Sequence, residues 1–177
     1  MAAVVIRVWD PFLRIAHWSI AVLVVIDLLN DAGANPWHRY IGYAAGALVT
    51  MRLAWGLVGS HYARLATMAA TARTLSAYVG TAKSRRVYAG HNPLGACMAF
   101  LLWGLLLTVV VTGWMLQLDA FWGNERIENL HAAASYTLAA CALIHVTGVL
   151  VTSAHTRVNL VKAMITGKKR ETESPVQ

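Results

Sequence analysis

Residues 130–146 read LHAAASYTLAACALIHV, an apolar run with a histidine near each end. At about 100° per residue the fourteen steps from His131 to His145 fall within about 40° of four whole turns. On a helix both imidazoles therefore face one way, about 21 Å apart along the axis. The stripe between them carries Ser135, Leu138 and Ala142, two of which are small. An imidazole in hydrocarbon leaves a donor and an acceptor unmet unless partners take them, so these two rings ask for partners at two depths.

The rest of the chain sets the solvent. Of 177 residues, 58% are hydrophobic and 13% charged, and the mean hydropathy is +0.52, which no ordinary soluble domain shows. Apolar runs fall at about 12–30, 37–58, 93–117 and 128–154, each near the roughly 20 residues that span a bilayer core. The expectation is an all-α integral membrane four-helix bundle over 1–170, in contact with lipid, with an inner loop at 59–92 and a polar tail at 171–177. Three of the four runs open on an acceptor side chain followed by proline, at Asp10-Pro11, Asn35-Pro36 and Asn92-Pro93, the pairing that suits a helix N-cap and first position.

Charge orients the bundle. Thirteen of the fifteen Lys and Arg lie in the N-terminal arm, the 59–92 connection, the C-terminal tail and the adjoining helix ends; only Arg39 and Arg126 lie on the other side. The positive-inside rule then predicts both termini in the cytoplasm. The pI near 9.9 is a topology signal, and no soluble basic face supports nucleic-acid binding. Asp27, Asp31, Asp119, Glu125 and Glu128 against two arginines leave the outer side at a net −3, a surface suited to a basic partner.

A secretory signal competes for the first run, because Ala32-Gly33-Ala34 has a small-x-small form, but His17 and Asp27 sit badly in a signal core. Cys97 and Cys141 fall inside helices and no C-x-x-C-H occurs, so neither a disulfide framework nor covalent haem attachment is indicated. Residues 71–82 read either as a short interfacial helix or as a solvated loop. The tail from Gly167 reads as disordered.

Depth supplies the missing partners. His17 lies near the inner end of the first helix and His38 near the outer end of the second, which pairs His17 with His145 and His38 with His131. Gly42, Ala45 and Val49 follow on the His38 face, as Ala21 and Val24 follow His17, leaving room for a macrocycle or, alternatively, serving close helix packing. Any one histidine alone is more often a hydrogen-bonded interior residue, but four matched in depth suit two planar cofactors. Haem iron takes two axial imidazoles, whereas zinc wants four ligands. His61, His91 and His155 are interfacial, at the inner surface where a quinone headgroup could exchange protons.

The segments VWDPFLRIAHW, WHRYIGY, MRLAWGLVGSHYARL, YAGHNPLGACM and NLVKAMITGKKR resemble, in order and almost from end to end, the bacterial cytochrome b561 family, related to the cytochrome b subunit of nickel-iron hydrogenases. The resemblance implies two non-covalent b haems and electron transfer between quinone and a redox partner at the membrane surface. Its ligands fall on His17, His38, His131 and His145. Arg39 and Arg126 are candidates for the outer haem's propionates and Arg14 for the inner one's, while His91 with Gly90, Asn92 and Pro93 is a candidate quinone segment. The partner reads as a periplasmic c-type cytochrome; superoxide oxidation with reduction of quinone, and anchoring of a hydrogenase-like oxidoreductase, are the alternatives.

Overall fold

The computed structural model describes residues 4–30, 36–79 and 88–171. The acidic Asp31, the Ala32-Gly33-Ala34 motif, the cap residue Asn35, the basic Lys83, Arg85 and Arg86, and the tail from 172 lie outside the described residues. Four helices are long and apolar enough to cross a membrane: α1 (Pro11–Leu29), α2 (Pro36–Val58), α5 (Pro93–Met115) and α6 (Glu125–Thr156). Two shorter ones, α3 (Leu65–Ala72) and α4 (Leu75–Val79), lie in the connection between α2 and α5, and α7 (Leu160–Thr166) follows α6.

Proline opens α1, α2 and α5, where the sequence places it. Asp10 Oδ1 accepts from the Leu13 amide at 2.8 Å and Asn92 Oδ1 from the Gly95 amide at 2.7 Å, each satisfying a donor of the first turn. The fourth long helix starts three residues earlier than its apolar run, because Asn124 Oδ1 accepts from the Arg126 and Ile127 amides at 3.1 and 3.3 Å. A cap can carry a helix beyond its apolar stretch into polar residues.

The expected disorder of the tail from Gly167 needs correction. Lys168–Glu171 form a strand, β2, pairing antiparallel with β1 (Val4–Arg7) in the register Val4 with Glu171 and Arg7 with Lys168. Composition alone missed it because the partner strand is some 160 positions away, and a polar segment is ordered when its backbone groups find a ladder. The 59–92 connection is likewise more helical than expected, with α3 beginning before the 71–82 window and ending just inside it, and α4 within it; residues 80–87 are not described.

By its contacts the chain divides into two compact units. In the unit of residues 15–53 and 99–144, Ala45 and Val49 of α2, Leu106 of α5 and Leu138 of α6 form a buried core, with Ile20, Leu23 and Val24 of α1 against it. Gly46 matters here, since a Cβ would stand 2.7 Å from Val110 Cγ1. Ala45 and Val49 thus pack helices together. Around this core the helices expose Val22, Val25, Ile26, Leu101 and Val111, a surface that suits lipid. Hydroxyls turn inward on their own helices: Thr50 donates to the Gly46 carbonyl, Thr108 to Gly104 and Ser135 to His131, as helices without water require.

The other unit, residues 1–14, 54–98 and 145–177, is held by a clasp. Val8, Trp9, Leu13 and Ala63 form its core, with Trp55, Tyr62 and Met164 packed on them. Asp10 Oδ2 accepts from Trp55 Nε1 at 3.2 Å and from the Ser60 hydroxyl at 2.6 Å. Gly167 ends α7 in the left-handed region at φ 77°, its amide donating to the Ala163 carbonyl at 2.8 Å. Its carbonyl in turn accepts from the Val8 and Trp9 amides at 2.8 and 3.2 Å. A Cβ there would come within 2.6 Å of the Trp9 carbonyl oxygen, so both φ and space demand glycine.

Candidate functional site

His38 and His131 come together. The first stands on the opening turn of α2 and the second near the start of α6, with ring centroids 6.1 Å apart and ring planes at 87°. Each ring is held through Nδ1. His38 Nδ1 lies 2.9 Å from Asp27 Oδ1, at the end of α1. His131 Nδ1 lies 3.1 Å from the Val109 carbonyl oxygen and 3.0 Å from Thr112 Oγ1. The Thr112 hydroxyl gives its own proton to the Thr108 carbonyl at 2.7 Å, so toward His131 it accepts.

Carboxylate and carbonyl oxygens only accept, so Nδ1 carries the proton in both rings and Nε2 keeps its lone pair. Gly113 adds a steric condition. A Cβ there would lie 3.1 Å from His131 Cε1, so glycine admits the ring where it stands.

This arrangement suits a shared metal. An imidazole nitrogen bonds metals at about 2 Å, which places two rings on one ion with centroids roughly 6 Å apart. Ligating histidines ordinarily donate their other N–H to a carboxylate or carbonyl, as both do here. Among the described residues no three His, Cys, Asp or Glu converge on a metal, so these two imidazoles fall short of a four-ligand protein site. A porphyrin brings its own four nitrogens, and the pair fits a haem. One turn beyond His38, a Cβ on Gly42 would meet no atom within 4 Å.

The remaining candidates fall as follows. His17 is half-buried on α1, its ring edge-on to Trp18 at 5.3 Å. His145 is half-buried on α6. Each belongs to a different compact unit. Arg39 is exposed, with Nη1 donating to Gln117 Oε1 at 2.8 Å and its guanidinium 5.5 Å from the Tyr40 ring; Arg126 is exposed in the first turn of α6. Arg14 donates through Nη1 to the Ile165 carbonyl near the end of α7, and its buried Nε has no hydrogen-bond partner among the described residues.

His91 packs on Trp9 with centroids 4.8 Å apart and lines a cavity of about 200 Å³ together with Tyr62, Thr67, Thr71 and Tyr88. His155 is exposed, its Nδ1 donating to the Val151 carbonyl at 3.1 Å. The basic Lys169 of β2 is buried beside this cavity's wall. Its Nζ donates to the Tyr88 and Gly90 carbonyls at 3.1 and 2.9 Å and sits 5.5 Å from the Trp9 ring. Burial lowers its pKa from 10.5 to about 8.

Sequence reasoning missed four participants. Asp27 entered as an outer charge and as a misfit in a signal core, never as a partner of His38; Lys169 entered only as a basic tail residue, and Thr112 not at all. Arg52 entered only as an inner charge, yet it is 4% exposed and its guanidinium sits 5.0 Å from the Trp103 ring. An ionisable residue inside an apolar run was the available signal for Asp27 and Arg52; nothing local marked the other two.

Apolar spanning helices and a pair of imidazoles fit to hold a metal cofactor define a membrane metalloprotein of the electron-carrying kind. The chain belongs to the prokaryotic cytochrome b561 family, which it matches over residues 8–167. It is 22% identical, over an alignment of 212 positions, to a probable Ni/Fe-hydrogenase B-type cytochrome subunit of Bradyrhizobium diazoefficiens, covering 93% of this chain and 86% of that one. A protein of the same description from Rhodobacter capsulatus is also 22% identical, over 93% of this chain and 81% of its own. No solved structure matches significantly. The protein is a membrane b-type cytochrome of electron transport, and b-type haem is its cofactor.

Proposed function

We propose that residues 1–170 form one di-haem domain, a four-helix bundle in the bacterial inner membrane with both termini cytoplasmic, carrying electrons between membrane quinone and an oxidoreductase partner at the outer surface. The observation that carries this reading is the His38–His131 pair, 6.1 Å apart with both Nδ1 atoms engaged. By depth along their helices, as the sequence counts it, His17 and His145 would make the second pair. His38 and His131 would hold the iron of a b haem, which when so bound would supply one-electron transfer and leave dioxygen no position. What the chain does is fix tautomer and ring direction, through Asp27 on one side and the α5 carbonyl and hydroxyl on the other.

The cavity beside His91 supports a quinone headgroup at the inner surface, with Tyr62, Tyr88 and His91 as its proton-capable neighbours. For the outer partner, the relatives' description as hydrogenase cytochrome subunits favours an oxidoreductase subunit. The acidic Asp119, Glu125 and Glu128 favour a basic docking rim, which a c-type cytochrome would also present. Superoxide oxidation is less well supported: an anion needs a positive funnel, and Arg39 is occupied by Gln117 and Tyr40.

Pyridine haemochrome analysis of purified protein is expected to give two b haems per chain, both reducible by a quinol analogue; a single haem contradicts the reading. Reduction is expected to slow in His91→Ala, and unchanged kinetics would move the quinone elsewhere.

A further inference from the structure

The two imidazoles of the candidate haem site differ in what holds them. His131 leans on neutral acceptors, the Val109 carbonyl and the Thr112 hydroxyl, while His38 leans on a carboxylate. Asp27 is the only acidic residue of α1, and its side chain is 17% exposed. A carboxylate at that depth is costly unless a polar partner offsets its desolvation. A neutral acceptor would cost less if holding the ring were the whole task, as the α5 side of the same site demonstrates.

We infer that Asp27 is a positioning residue that sets the reduction potential of the haem bound by His38 and His131. Its carboxylate takes the Nδ1 hydrogen bond, keeps Nε2 as the free nitrogen and raises the basicity of the ring. A stronger donor and a fixed negative charge nearby both favour ferric over ferrous iron. The potential for one-electron reduction of this haem therefore lies below the value a neutral acceptor would set. The inference rests on the assignment of His38 and His131 as ligands of one haem.

Asp27 also ties α1 to α2, so the test must separate charge from fastening. Asp27→Asn keeps an acceptor oxygen in place and removes the charge; Asp27→Glu keeps the charge on a longer arm. In potentiometric titrations of the purified protein followed by haem absorbance, the Asn variant is expected to retain two haems and to shift one midpoint potential upward, leaving the other unchanged. The low-spin ferric electron paramagnetic resonance of that same haem should change as its ligand weakens, and Glu should return both readings toward wild type. Loss of one haem in Asn that Glu restores also supports the inference, because a carboxylate is then required to position the ring. Both potentials unchanged in Asn, or equal loss of haem in Asn and Glu, overturns it and leaves Asp27 a helix fastening. His38→Ala retaining both haems would instead refute the ligand assignment, a separate failure.

Discussion

In the unit of residues 15–53 and 99–144, polar side chains find partners on the helices or in the turn that follows α5. His38 meets Asp27, His131 meets Val109 and Thr112, and Arg39 meets Gln117. In the unit of residues 1–14, 54–98 and 145–177, the cations reach backbone carbonyls: Lys169 those of Tyr88 and Gly90, Arg14 that of Ile165, Arg64 that of Gly59. The first pattern orients a ring and decides which nitrogen is free, which is a chemical outcome. The second fastens turns and strands through main-chain acceptors. Substitutions at the supports of the His38–His131 pair and in the clasp should therefore have separable effects, on the cofactor in one and on stability in the other.

The largest test of that separation is Gly167→Ala in the clasp. It forces a side chain into φ 77° and against the Trp9 carbonyl, and a cost of about 2 kcal/mol is expected from strain of this kind. Thermal denaturation in detergent should show the loss while the haem served by His38 keeps its spectrum. A changed spectrum at normal stability would break the comparison. In the other unit, Gly113→Ala presses a methyl toward His131 Cε1. Retention of one haem, measured by transfer to apomyoglobin, is expected to weaken by about tenfold, as for disturbed supports of a metal ligand, with little change in the denaturation midpoint.

A smaller effect sharpens the clasp side. Folding lowers the Lys169 pKa from 10.5 to about 8 through burial, so between those values the unfolded chain binds the extra proton. Stability of this unit should then rise as pH climbs from about 8 to about 10.5 and carry the full penalty below about 8. A neutral amine still has two N–H bonds for its two carbonyls. Comparing wild type with Lys169→Met across that range isolates the lysine, and parallel curves would contradict it.

How much was readable beforehand follows the range of the interactions. Helix starts at Pro11, Pro36 and Pro93 depend on two adjacent residues, and the sequence places them correctly. The nearness of His38 and His131 was legible because depth along a helix is a count of residues. What the rings lean on was not: Asp27 is eleven positions from His38, and Val109 is twenty-two from His131, so no local pattern joins them. The strand of Lys168–Glu171 was hidden for the same reason, and the carbonyls that hold Lys169 carry no side-chain signature. Gly42 and Gly46 show the limit of reading small residues. Gly42, Ala45 and Val49 read as room for a macrocycle or as close packing, yet Ala45 and Val49 are buried in the helix core and Gly46 is needed by Val110, while Gly42 has open space beside it.

The central claim is that His38 and His131 act on one haem, and haem stoichiometry in the two single variants tests it most directly. His38→Ala and His131→Ala should each retain one of two b haems, and the surviving haem should have the same absorbance and potential in both proteins. Two haems retained in either variant, or different survivors in the two, would contradict the pairing.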